Sequence, residues 1–166
     1  MKILLLDTAF ASAPIYNALI ETGHDVWVAG NRSTDFLARI AGPRWIKQDY
    51  SDVDSIRKHV ERLKIERVVP GCTDVSIEVC LQLPCGAHLR DSPATNLALS
   101  HKAQFRAICA QLDLPAPRAL SLGSFPLSGR YICKPVDAFS GRGISTFNGQ
   151  DKGALLKAVE AAKLAS

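Results

Sequence analysis

Two short apolar runs without a polar break, residues 3–6 (Ile-Leu-Leu-Leu) and 26–29 (Val-Trp-Val-Ala), stand one helix apart. That spacing limits the fold more than any other feature. Uninterrupted runs of this length read as strands buried on both faces of a parallel sheet. Between them, residues 7–12 form a loop and Pro14 sits early in a helix, where its missing N–H is not needed. Ile15, Ala18 and Leu19 give that helix an apolar face, and Gly23 ends it. Strand, helix and strand within about thirty residues make a βαβ unit with a right-handed crossover.

The pattern continues. Residues 34–41 predict a short helix stopped by Gly42-Pro43, and residues 45–46 a short strand. Ser51 opens the next helix with a capping hydroxyl, and Asp52 and Asp54 make its first turn acidic. Val53, Ile56, Val60 and Leu63 recur along it at helical spacing. Residues 67–70 predict a fourth strand, 75–83 a helix and 87–89 a last short strand. Residues 1–92 therefore read as a Rossmann-like parallel α/β domain.

Dinucleotide chemistry does not follow from that topology. The pyrophosphate cradle needs Gly-x-Gly-x-x-Gly after the first strand and an acidic residue ending the second. This chain has no glycine in 7–12 and continues Gly30-Asn31-Arg32 after its second strand. Thr73 and Asp74 lie at the carboxyl end of a strand, where open α/β sheets place ligands. They are candidate substrate contacts. Helix capping by Thr73 and dipole complementation by Asp74 account for the same residues.

At 166 residues and 47% hydrophobic, the chain can form one ordinary domain or two small ones. Its formal charge of +4 is mild, and basic residues alternate with acidic ones, as in 57–62. That is a solvated helix face and not a nucleic-acid stripe. The five cysteines contain no Cys-x-x-Cys pair, which suits free thiols in a reducing, cytoplasmic setting. Residues 3–6 are too short for a signal peptide, and no stretch approaches the ~20 apolar residues of a membrane span.

Asp91-Ser92-Pro93 marks a boundary. Ser100 then caps a helix over 101–112 with Phe105, Ile108, Cys109 and Leu112 inward, and 114–117 (Leu-Pro-Ala-Pro) terminate it. Residues 118–122 and 130–133 predict paired strands, with 144–147 as a third. Asp151 caps a final helix whose Leu155, Leu156, Val159 and Leu164 form its apolar face. The second strand runs into Lys134-Pro135, and the loop before the third holds Ser140-Gly141-Arg142-Gly143. Two glycines let a backbone come close to a ligand and aim N–H groups at phosphate oxygens. Lys134 and Arg142 add positive charge on either side. A plain hairpin with a bulge uses the same glycines.

Strand, Lys134-Pro135, Gly-rich loop and returning strand, preceded by His101-Lys102 opening a helix and a proline turn, resemble the start of the ATP-grasp family of carboxylate–amine ligases. His101 stands where the family more often has an acidic residue. The resemblance implies a pre-ATP-grasp domain over 1–92, a helical linker over 93–117 and an incomplete ATP-grasp lid over 118–166. It leans toward the carbamoyl-phosphate-synthase-like branch. It implies that ATP and Mg2+ are the cofactors and a small carboxylate the substrate, with reaction through an acylphosphate. Lys102 would reach the nucleotide phosphates from below, Lys134 would meet the α-phosphate and the adenine edge, and Ser140, Gly141, Arg142 and Gly143 would cover the phosphates. The magnesium ligands and the catalytic residues belong to later parts of the family's fold. The chain is therefore expected to be an N-terminal portion that catalyses no ligation by itself. Its lid tip, 138–143, is expected to move without nucleotide. An open sheet edge and an apolar helix face favour a homo-oligomer. A nucleotide-binding module without turnover and an α/β domain with a structural hairpin are the other classes open to these residues.

Overall fold

Leu4, Leu5 and Leu6 have no exposed surface at all, and the first half of the molecule is built outward from them. They belong to β1 (Lys2–Leu6), which lies between β2 (Asp25–Gly30) and β4 (Arg67–Pro70) in a four-stranded parallel sheet. β3 (Trp45–Lys47) pairs with β2, so the order is β3-β2-β1-β4. The computed structural model describes residues 1–86, 91–136, 138 and 141–166. The strand expected at 87–89, and Ser140, lie outside the described residues. The chain divides into two compact units, Met1–Asn96 and Leu97–Ser166.

Helices cover both faces of the sheet, which is why β1 is apolar throughout and not alternating. Leu4 and Leu6 pack with Ile56 and Val60 of α3 (Val53–Leu63) and with Val79 and Cys80 of α4 (Asp74–Leu81). Leu5 points the other way, with Val26 and Val28, toward Ala13 of α1 (Ala13–Glu21) and Leu37 of α2 (Phe36–Ile40). Gly23 takes φ +78° just past α1, a conformation that suits glycine. The cap of α3 differs from expectation. Asp52 accepts from Ser55 N at 3.1 Å, so the cap is a carboxylate one residue later than the Ser51 hydroxyl. Ser51 is instead bound to Asp49.

A helix that the sequence did not announce, α5 (Pro93–Ser100), spans the boundary between the units. Ser100 is its last residue and caps nothing. His101 takes the N-cap position of α6 (Lys102–Gln111), with a long 3.5 Å bond from Gln104 N to its Nδ1. Of the residues expected inward on α6, Cys109 is buried, whereas Phe105 and Leu112 are exposed.

The second unit holds a two-stranded antiparallel sheet, β5 (Arg130–Cys133) and β6 (Ser145–Asn148), with α7 (Lys152–Ala165) packed on it. Asp151 caps α7 as expected, accepting from Ala154 N at 2.9 Å. Phe147 and Leu155 form the core with Ala158, Phe125 and Tyr131. The strand expected over 118–122 is absent. Leu120 and Leu122 alternate like a strand, but both are exposed, and Leu122–Ser124 is a single 3-10 turn. The closing contacts of the hairpin come later, from Leu127 N to Gly149 O at 3.1 Å and from Gly149 N to Gly129 O at 2.9 Å. On α7 the buried stripe is Leu155, Ala158 and Ala162, so Leu156 and Leu164, expected inward, face out. No helix among the described residues is long and apolar enough to cross a membrane.

Candidate functional site

Lys134 directly follows β5. Its neighbour Pro135 is buried and cannot continue the ladder, so the lysine is left exposed at the strand exit. Lys102, the first residue of α6, reaches the same exit. Its Nζ donates to Val136 O at 2.8 Å and to Ala138 O at 3.3 Å. Residues 32 positions apart in sequence, Lys102 and Lys134, thus serve one short stretch of backbone.

The two loop glycines have different structural jobs. Gly141, at φ +77°, has open space where a Cβ would stand. Gly143, at φ +67°, is pressed on α7: a Cβ would lie 2.5 Å from Ala165 Cβ and 3.0 Å from Ala161 O. Backbone N–H groups can approach a ligand at Gly141, while Gly143 is needed for packing whatever the loop binds. Arg142 between them is exposed. Among the described residues neither Lys134 nor Arg142 has an ion-pair partner.

A second site lies in the first unit. The sheet order reverses between β1 and β4, and ligands of open α/β sheets collect at the carboxyl ends of strands beside such a reversal. A cleft of about 390 Å³ opens there, lined by Asp7, Thr8, Asn31, Arg32, Asp35, Asp49, Tyr50 and Thr73 among others. Thr73 lines it, with its Oγ1 3.2 Å from Tyr50 Oη, and the same oxygen caps α4 by accepting from Ser76 N. The two readings of Thr73 are therefore compatible. Asp74 sits in the first turn of α4 and does not line the cleft.

The cleft is fixed by close packing around buried polar groups. Asp7, almost fully buried at φ +137°, accepts from Ala9 N at 2.9 Å and from Ser12 Oγ at 2.6 Å. Thr8 donates to Asp35 Oδ2 at 2.7 Å. Gly30 must be glycine because a Cβ would collide with the Thr8 side chain. The Ser51 hydroxyl and N–H hold the Asp49 carboxyl below its usual range, and burial pushes the Tyr50 hydroxyl up. Asp7, Thr8, Asp35, Asp49 and Tyr50 escaped the sequence reading because they come from separate loops. The signal that could have found them is position: each follows the carboxyl end of a strand.

No protein-family model matches the sequence, and no curated protein matches it. Solved structures do. The ADP complex of N5-carboxyaminoimidazole ribonucleotide synthetase is similar at TM-score 0.71 and 15% identity, over 99% of this chain and 45% of that one. The Thermotoga maritima synthetase of the same description gives 0.67 and 13%, over 94% and 42%. Phosphoribosylglycinamide synthetase of Anaerococcus prevotii gives 0.63 and 12%, over 99% and 42%. The chain spans less than half the length of each. What is shared at these identities is the fold, a mixed α/β arrangement in line with the one that the sequence implied.

Proposed function

We propose that this chain forms the N-terminal part of the nucleotide site of an ATP-dependent carboxylate–amine ligase working through an acylphosphate. The observation that carries the reading is the pair of hydrogen bonds that Lys102 Nζ donates to the carbonyls of Val136 and Ala138. It brings the helix lysine to the exit of the lysine-bearing strand, in a fold shared with ribonucleotide synthetases. ATP would supply the phosphoryl group that activates the carboxylate. Lys134 and Arg142 would meet its phosphates, and the open backbone at Gly141 would donate to their oxygens. Lys102 would hold the loop in place beneath them. The donor set for magnesium does not fit these residues. Among the described residues no cluster of His, Cys, Asp or Glu could hold a metal, so no step here is assigned to the ion. The same observation favours, as a second reading, a module that binds nucleotide without turning it over.

Lys134→Ala tests the site. One lost charge-assisted hydrogen bond is worth about 1.5–3 kcal/mol, so ATP affinity should fall about tenfold or more with the circular dichroism spectrum unchanged. Equal affinity for wild type and variant in a calorimetric titration would remove Lys134 from the nucleotide site. ADP release on addition of carboxylate and amine panels, measured on a protein that carries this chain together with the later parts of the ligase fold, separates a ligase from a silent binder.

A further inference from the structure

We propose that two copies of this chain associate through the outward face of α7, each copy closing an apolar groove on the other. The inference goes beyond the nucleotide reading and does not depend on it.

The groove, about 350 Å³ in volume, lies wholly within the second unit. Leu122, Phe125 and Pro126 line it from the stretch before β5, and Leu155, Leu156 and Val159 line it from α7. Leu122 is 59% exposed and Leu156 60%, on a helix whose inward stripe is already formed by Leu155, Ala158 and Ala162. One exposed leucine is ordinary on a protein surface. Two leucines standing open at one apolar groove make a contact surface.

The charges on α7 identify the occupant. Lys152, Leu156 and Glu160 follow one another at intervals of four, so they form one row on the helix, and all three are exposed. Lys152 also lines the groove. Neither charge has an ion-pair partner among the described residues. Rows of this spacing are the ridges that pack into a facing helix. About a two-fold axis through Leu156, Lys152 of one copy meets Glu160 of the other, and the same pair recurs on the far side. Both pairs then lie about 6 Å along the helix from the axis, within reach of their side chains. Gly153 falls opposite Val159, where the missing side chain leaves the valine room. A row of one sign would call for a partner of opposite charge. A row with one charge of each sign, equally far from an apolar centre, complements an antiparallel copy of itself.

The test is sedimentation equilibrium of the 166-residue chain at rising concentration, which should show a monomer passing into a dimer. Leu156→Asp should weaken association by at least about tenfold. Lys152→Glu and Glu160→Lys, each by itself, bring like charges together on both sides of the axis and should each weaken it about tenfold. An equal mixture of these two variants should recover the wild-type affinity, because each chain then faces its complement in a mixed dimer. No role confined to a single chain gives that recovery. All three positions are exposed, so α7 should persist, which circular dichroism checks. Should Leu156→Asp disturb the fold, the mixture of charge variants still decides. A monomer at every concentration would overturn the proposal and leave the groove to a different partner. So would a folded Leu156→Asp that dimerises as tightly as wild type, or a mixture no tighter than its components.

Discussion

Gly71→Ala is expected to destabilise the first unit by about 3 kcal/mol or more, at the upper end for an overpacked interior. Gly71 follows β4, and a Cβ there would collide with Asp7 Cβ while standing 2.6 Å from Ser12 Oγ and 2.7 Å from Leu6 O. None of these can give way cheaply. Leu6 O is backbone in the central strand and accepts from Gly71 N at 2.9 Å. Asp7 already sits at positive φ, and Ser12 is fully buried between Asp7 Oδ2 and Cys72 N. For a domain of this size, about 3 kcal/mol shifts the melting temperature by more than about 10 °C. Thermal unfolding by circular dichroism is the measurement. An unchanged midpoint would show that the corner joining Asp7, Ser12 and Cys72 relaxes freely.

Phe147→Ala should be the most damaging single truncation in the second unit, at about 3–5 kcal/mol. Phe147 faces Tyr131 across the two strands, its ring lies 5.5 Å from that of Phe125, and it packs on Leu155 and Ala158. Phe125 and Tyr131 meet edge to face at 5.0 Å, so a hole at 147 removes the surface that both rest on. Urea unfolding followed by tyrosine fluorescence reads the loss. Phe147→Leu should recover a large part of it, because the cost scales with the cavity left behind.

The parallel sheet was legible because its two central strands hold uninterrupted apolar runs and the helix between them ends at a glycine. Residues 67–70 and the caps at Thr73 and Asp151 were read where they stand. The failures share a physical cause, which is that local pattern does not report what lies opposite. Leu120 and Leu122 have the alternation of a strand and no ladder partner. Leu156 and Leu164 have helical spacing but lie off the stripe that meets the sheet, which is lined instead by Ala158 and Ala162. At His101 and Ser100 two adjacent polar residues compete for one cap, and a preceding helix decides between them. Lys134 and the glycine loop stand in one continuous stretch that local pattern can single out, whereas Lys102 meets that stretch only through the fold. The cleft was not, because its lining residues come from four separate loops between Asp7 and Val75.

The central place of β1 also has a consequence during synthesis. Of the strands in this sheet, the earliest to be synthesised is the one that needs two neighbours, and the second of them, β4, is about 60 residues away. At the usual elongation rates the wait is about 3–12 s. For that interval Leu4 and Leu6 lack the partners α3 and α4 will provide, and a greasy nascent segment is open to chaperones and to neighbouring chains. Codon choices that slow translation between β2 and β4 would lengthen this exposure, and yield in expression should respond to them more than to changes made after residue 81.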